Sequence, residues 1–211
     1  MKANEVVSKI LKEHERITDV YFLACGGSLV DLYPGFYFVQ SESSTMHTAW
    51  MTAREFVLNP PKQAGKNSLI IVCSHGGNTK ESVEAANAGK ALGAAVITLT
   101  HTPGSKCDDS SMNPWIYDWA DTVDEKEKPQ GIVLAVLNEL MKVQEPDYKL
   151  YDAINDGLEK VDGIVRAAVK KVQNRTWLFA DKYYDEDFLY IMASGASLSP
   201  SFGLSSSFLW S

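Results

Sequence analysis

The 211-residue chain is longer than one domain of about 150 residues and shorter than two. With 45% apolar and 22% charged residues it can bury a core without staples. Its net charge of −7, with no run of Lys or Arg, argues against nucleic-acid and anionic-membrane partners, which both need a basic footprint. No apolar stretch approaches the roughly 18 residues of a membrane span. The early charged residues Lys2 and Glu5 argue against a secretory signal. Three scattered cysteines, Cys25, Cys73 and Cys107, suit a reducing cytoplasm better than a disulfide framework.

In chain order, Val6, Ile10 and Leu11 share one face of residues 5–16, so an amphipathic helix comes first. The apolar run Val20–Cys25 fits a parallel strand buried on both faces and ends at Gly26-Gly27-Ser28. Ser28 with Asp31 three residues on reads as a helix N-cap and its acidic partner, and Pro34 should kink the helix that follows. A weaker strand lies within 44–51. A stronger one, Leu69–Cys73, runs into Ser74-His75-Gly76-Gly77-Asn78-Thr79. Residues 79–92 form an alanine-rich helix stopped by Gly93. Residues 94–100 are a strand, 115–119 an edge strand, and 129–143 a helix begun at Pro129. This alternation predicts an α/β fold, a doubly wound parallel sheet sandwiched by helices, over residues 1–145.

A long polar helical stretch follows, with Ile154, Leu158, Val161 and Val165 at helical spacing; 146–185 reads as a linker helix. Then a pattern returns. Tyr190-Ile191-Met192-Ala193-Ser194-Gly195-Ala196-Ser197 matches Tyr21-Phe22-Leu23-Ala24-Cys25-Gly26-Gly27-Ser28 at its Tyr, Ala, Gly and Ser positions. Residues 186–211 are therefore expected to hold the strand (188–193) and helix (199–210) that open a second, incomplete copy, ending at Phe208-Leu209-Trp210-Ser211. An unpaired apolar strand there is an association hazard, so a homo-oligomer is expected.

Two loops carry the chemistry. Gly26-Gly27-Ser28 and Ser74–Thr79 both leave the carboxyl ends of strands and open helices, where an open α/β sheet binds its ligands. Helix N-termini offer unpaired N–H groups and a positive dipole end; glycines admit a phosphate close to the backbone; Ser and Thr hydroxyls add neutral donors. Gly26, Gly27, Ser28, Ser74, His75, Gly76, Asn78 and Thr79 are the candidate binding residues, suited to a phosphorylated small molecule. The structural alternative is that Asn78 and Thr79 only cap and the glycines only turn. Neither G-x-G-x-x-G nor G-x-x-x-x-G-K-[ST] occurs, which argues against dinucleotide and nucleoside-triphosphate sites.

The loop Ser74-His75-Gly76-Gly77-Asn78-Thr79-Lys80-Glu81-Ser82 resembles the S-x-S-G-x-T-x-E-[ST] signature of the sugar isomerase (SIS) domain, with Gly76 in place of the second serine. The stretch Ala24–Ser28 resembles that family's other phosphate loop. Within the family the chain is most similar to the fructosamine-6-phosphate deglycases, and the similarity covers essentially all of it. The resemblance implies two tandem SIS domains and cleavage of a 6-phosphorylated Amadori product to glucose 6-phosphate and free amine. It implies no metal or organic cofactor. It also implies a catalytic Glu and His in an E-x-x-H-G-P-like stretch, which these residues do not contain, so no catalytic residue is assigned. A non-catalytic phosphosugar-binding module, or part of a glucosamine-6-phosphate synthase-like protein, is the alternative.

Other residues carry plainer expectations. His75 could meet the sugar or move a proton, or only hydrogen-bond within its loop. Cys25 and Cys73 read as small buried hydrophobes and Glu81 as a capping-box partner of Asn78. Trp115, Tyr117 and Trp119 alternate on a strand and are expected to face a core or interface rather than a sugar. His14, His47 and His101 have no partner at metal-ligand spacing.

Overall fold

The computed structural model describes residues 2–205. Five parallel strands, β1 (Asp19–Ala24), β2 (His47–Thr52), β3 (Ser68–Cys73), β4 (Ala95–Thr100) and β5 (Trp115–Ile116), form one sheet in the order β2-β1-β3-β4-β5. Alternation along each strand divides its side chains between two cores. Val20, Phe22 and Ala24, with Leu69, Ile71 and Cys73, face α1 (Ala3–Glu13), α2 (Gly27–Glu42) and α5 (Pro129–Gln144). Tyr21, Leu23, Ile70 and Val72 face α3 (Ala53–Leu58) and α4 (Lys80–Ala91). With both faces covered, β1, β3 and β4 are buried along their whole length, which is why they read as unbroken apolar runs.

From β1 the chain crosses to β2 on one side, then returns to build β3, β4 and β5 on the other. The order reverses between β1 and β3, and the crevice beyond their carboxyl ends is where such sheets bind ligands. The fold therefore sets Gly26–Ser28 and Ser74–Thr79 side by side at the switch point.

Several expectations shift. The edge strand is two residues long, and the chain leaves the sheet at Tyr117. Pro34 lies inside α2, where the sequence put it. The long helix expected within 146–185 is α6 (Tyr151–Tyr183), 33 residues, about 50 Å at 1.5 Å per residue. Its start is tied to α5 by Asn138, whose amide donates to the Tyr151 carbonyl and to Asn155. Residues 188–193 form no strand. Beyond them a 3₁₀ turn at Gly195–Ser197 leads into α7 (Leu198–Gly203), which packs on α2. There the Ser199 hydroxyl donates to the Val30 carbonyl at 2.6 Å and the Tyr33 hydroxyl to the Gly195 carbonyl at 3.2 Å. Phe208, Leu209, Trp210 and Ser211 lie outside the described residues. Among those described, no helix is long and apolar enough to cross a membrane.

Candidate functional site

The β1 loop turns on Gly26, at φ 57° and ψ −134°, a conformation closed to residues with a Cβ. This turn starts α2 at Gly27, with Gly26 itself as N-cap and no side-chain cap. Ser28 is thus the second residue of the helix rather than its cap, and Asp31 lies beyond the first turn. The sequence-based capping pair does not form, because the turn begins two residues earlier. The consequence is a helix end whose first N–H groups are left to a ligand or water.

The β3 loop is built more tightly. Ser74 is buried and donates through its hydroxyl to the Thr79 hydroxyl at 3.1 Å. Thr79 is the N-cap of α4 by backbone position, yet its side chain caps nothing. The proposed Asn78–Glu81 box is absent as well. Asn78 accepts from the Lys106 amide at 3.1 Å and donates to the Gly76 carbonyl at 3.3 Å, while Glu81 sits at the second helical position. Gly77 has φ 66°, and a Cβ there would lie 1.9 Å from Ser105 Oγ, so only glycine lets the loop close on the chain after β4. The His75 carbonyl accepts from the His101 amide at 3.0 Å and the Thr100 hydroxyl at 3.2 Å. Gly76 has ordinary φ and open space around its Cβ position, so nothing in the fold demands glycine there.

The two loops are laced together. Ser28 reaches the Cys73 thiol at the end of β3, and the Ser82 hydroxyl of α4 donates to Cys25 Sγ at 4.0 Å. Burial, with the Asp31 charge nearby, pushes the Cys73 thiol up to about 12, so it stays protonated, as a small buried hydrophobe should. Asp31 accepts from the Gln130 amide at 2.6 Å, and burial raises its carboxyl to about 6 against that bond.

Beside the second loop stands a cluster that strand alternation concealed. His75 Nδ1 and the Tyr117 hydroxyl are 3.0 Å apart. The His75 and His101 rings stack at 4.9 Å and 12°, and Trp119 meets His75 edge-on at 5.7 Å. Packing, then repulsion from His101, lowers the His75 pKa; burial raises that of Tyr117. Tyr117 is a core residue as expected, but Trp119 is not, because the strand ends at Ile116 and the chain turns Trp119 onto the loop at 41% exposure. Asp31, His101, Tyr117 and Trp119 were not among the sequence candidates. The available signal was the carboxyl-end rule, applied to β4 and β5 as well as to β1 and β3.

The structure therefore brings Ser74, His75, Gly76, Asn78 and Thr79 into one loop and sets Gly26, Gly27 and Ser28 against the adjoining strand end. Two helix N-termini without side-chain caps, flanked by hydroxyls, present the donor chemistry that suits an anion. Among the described residues no His, Cys, Asp and Glu cluster could hold a metal ion.

Residues 16–115 match the SIS domain. The chain is 33% identical over 198 residues to the fructosamine deglycase FrlB of Bacillus subtilis (strain 168), covering 93% of this chain and 60% of that protein. A crystal structure of a candidate phosphosugar isomerase from Salmonella typhimurium LT2 superposes with a TM-score of 0.91 at 34% identity, over 97% of this chain and 61% of that one. The C-terminal domain of a glucosamine-fructose-6-phosphate aminotransferase from Francisella tularensis shares the fold, with a TM-score of 0.72 at 14% identity over 96% of this chain and 62% of that one. The chain thus spans about 60% of the length of these relatives.

Proposed function

We propose that this chain, whose residues 16–115 match the SIS domain, is a member of that family and binds a phosphorylated sugar at the β1–β3 switch point. The observation that carries the reading is the pair of helix N-termini, at Gly27 and Lys80, that no side chain caps. The N–H groups there, with the hydroxyls of Ser28 and Thr79, hold the phosphate dianion, while Ser74 donates to Thr79 Oγ1 and so leaves the Thr79 proton for the phosphate. Gly26 and Gly77 set the backbone turns, and Asn78 fastens the loop to Lys106. Gly76 contributes only its N–H, one hydroxyl fewer than the family signature offers.

We propose further that the protein acts on a 6-phosphorylated Amadori product, in the manner its likeness to FrlB suggests. Such a reaction opens the sugar ring and moves a proton from C1 to give an enaminol, which is reprotonated at C2 as a C1 imine; water then adds at C1 and the C1–N bond breaks, giving glucose 6-phosphate and the free amine. The same reading divides the chain into a first SIS domain (1–145), a linker helix (146–185) and the opening of a second copy (186–211). The positive φ shared by Gly26 and Gly195 supports that division.

Calorimetry with fructose 6-phosphate tests the binding site. Each hydrogen bond to the phosphate is worth about 1.5–3 kcal/mol. The combined Ser28→Ala, Ser74→Ala and Thr79→Ala variant should therefore lose measurable affinity, and unchanged binding refutes the site. Release of glucose 6-phosphate from a fructosamine 6-phosphate tests the reaction. Tight binding without release would assign the non-catalytic reading instead.

A further inference from the structure

The aromatic cluster beside the anion cradle has a hydrogen-bonding polarity that can be worked out. His101 Nδ1 lies 3.0 Å from the Tyr117 carbonyl oxygen, which can only accept. Nδ1 therefore carries the proton, and in the neutral ring Nε2 is left as a bare acceptor. Among the described residues nothing donates to it. A phosphate dianion has no proton to offer, so this acceptor does not suit the anion itself. A sugar hydroxyl does suit it.

Trp119 adds the other half of a carbohydrate contact. Its indole is held edge-on by His75 and by Tyr117, at 6.0 Å and 64°, and Lys128 Nζ sits 5.8 Å from its centroid. Although fixed on these sides, it keeps 41% of its surface in solvent. A rigid, half-exposed aromatic next to a hydroxyl acceptor fits the alternating C–H and O–H groups of a polyol. Both residues adjoin the phosphate loop directly, since the His101 amide donates to the His75 carbonyl and Trp119 packs on the His75 ring.

We propose that His101 and Trp119 form the sugar-selecting wall of this site: His101 Nε2 accepts from a hydroxyl of the bound sugar phosphate, and the Trp119 indole covers its C–H face. The inference rests on the phosphosugar reading above and extends it from the phosphate to the carbon chain. It makes these two residues determinants of specificity, while the two loops supply the grip on the anion.

The test is calorimetry on the full chain with fructose 6-phosphate and inorganic phosphate side by side. His101→Phe keeps the stacked ring and removes the acceptor; Trp119→Ala removes the indole at an exposed position. Each should weaken fructose 6-phosphate by about fivefold or more, the scale of one net hydrogen bond, and leave phosphate within about twofold. His101→Gln, which retains an acceptor oxygen, should recover most of the loss. Unchanged fructose 6-phosphate affinity in both variants, with phosphate still bound, overturns the wall and leaves the anion site standing. Equal losses for the two ligands also overturn it, because the variants would then be disturbing the loop. A wild-type chain that binds neither ligand removes the phosphosugar reading and this inference with it.

Discussion

Residues 21–28 and 190–197 carry the same pattern, with Tyr, Ala, Gly and Ser in register, yet they do not adopt the same structure. The first is strand β1, buried from Asp19 to Ala24 between β2 and β3. The second forms no strand, and Phe188, Tyr190 and Met192 are 80%, 90% and 92% exposed. What the two share is the turn. Gly26 has φ 57° and Gly195 φ 58°, and each leads toward a helix. The turn is set by the glycine and its immediate neighbours. The strand is set by what lies beside it, because its N–H and C=O groups need partners from other strands. The two segments also meet. Ser199 bonds the carbonyl of Val30, and in the register of the repeat these are equivalent positions.

The sharpest way to break this comparison is to truncate matched side chains. Leu23 and Met192 are in register, but Leu23 is fully buried and Met192 stands in solvent. Leu23→Ala should cost about 2–5 kcal/mol of global stability by urea denaturation, through lost transfer energy and a residual cavity. Met192→Ala should stay within about 0.5 kcal/mol. Comparable losses in the two variants would mean that 188–193 is packed as firmly as β1.

A second contrast is electrostatic. Position 31 holds a half-buried aspartate where the repeat has the exposed Pro200. Burial raises the folded-state pKa of Asp31 from 3.8 to about 6, against the hydrogen bond from Gln130. The folded state thus holds this proton more tightly than the unfolded state. The stability so gained is fully present below the unfolded value and is lost as pH rises through about 6. With partial screening, the loss by about pH 8 is on the order of 2 kcal/mol. Asp31→Asn keeps an oxygen for Gln130 and has no charge to bury. It should raise the urea midpoint at pH 8 and leave it little changed near pH 4. A variant no more stable than wild type at pH 8 would show that Asp31 ionises in the fold without penalty.

The buried strands and the glycine loops that follow β1 and β3 are legible because their physics is local or periodic. Apolar runs of six residues ending in Gly and Ser need little context. Residues 188–193 were misread for the same reason: they have the run, and the run alone does not supply a neighbour. The capping pairs failed by one or two residues, because glycine turns and not side chains fix where α2 and α4 begin. The His75–His101–Tyr117–Trp119 cluster was out of reach for another reason. It joins three stretches of chain that only the sheet order brings together, and the alternation of Trp115, Tyr117 and Trp119 pointed to a strand that stops at Ile116.

The shared turn can be tested directly. A Cβ at Gly26 would meet no atom within 4 Å, so Gly26→Ala adds backbone strain and nothing else. That strain, in a backbone region all but reserved for glycine, should lower global stability by about 1–3 kcal/mol. Gly195→Ala, also at positive φ, adds backbone strain of its own, with Tyr37 Oη 3.1 Å from the new Cβ. Segment 195–203 can relieve it by lifting from α2, so the global midpoint should move by less than about 0.5 kcal/mol. Thermal or urea melts of the two variants decide this. Equal shifts would make 195–203 part of the same cooperative unit as β1.

The smallest global effect belongs to the contact that joins the two segments. Pro34 has no N–H, so the Val30 carbonyl one turn earlier lacks its helical donor. The buried Ser199 hydroxyl supplies one at 2.6 Å. In Ser199→Ala that carbonyl is left beneath α7 without a partner, a local cost of about 1–3 kcal/mol. Opening of α7 returns the carbonyl to water and cancels the cost. Hydrogen exchange of residues 198–203 should therefore quicken by about tenfold or more while the global midpoint holds within about 0.5 kcal/mol. A Pro34→Ala background should shrink the effect, because alanine at that position gives Val30 back its own helical N–H. The opposite pattern, a lower global midpoint with unchanged exchange in α7, would show that the second segment is held as tightly as the first. The contrast between the two regions would then rest on strand partners alone and not on how firmly each is anchored.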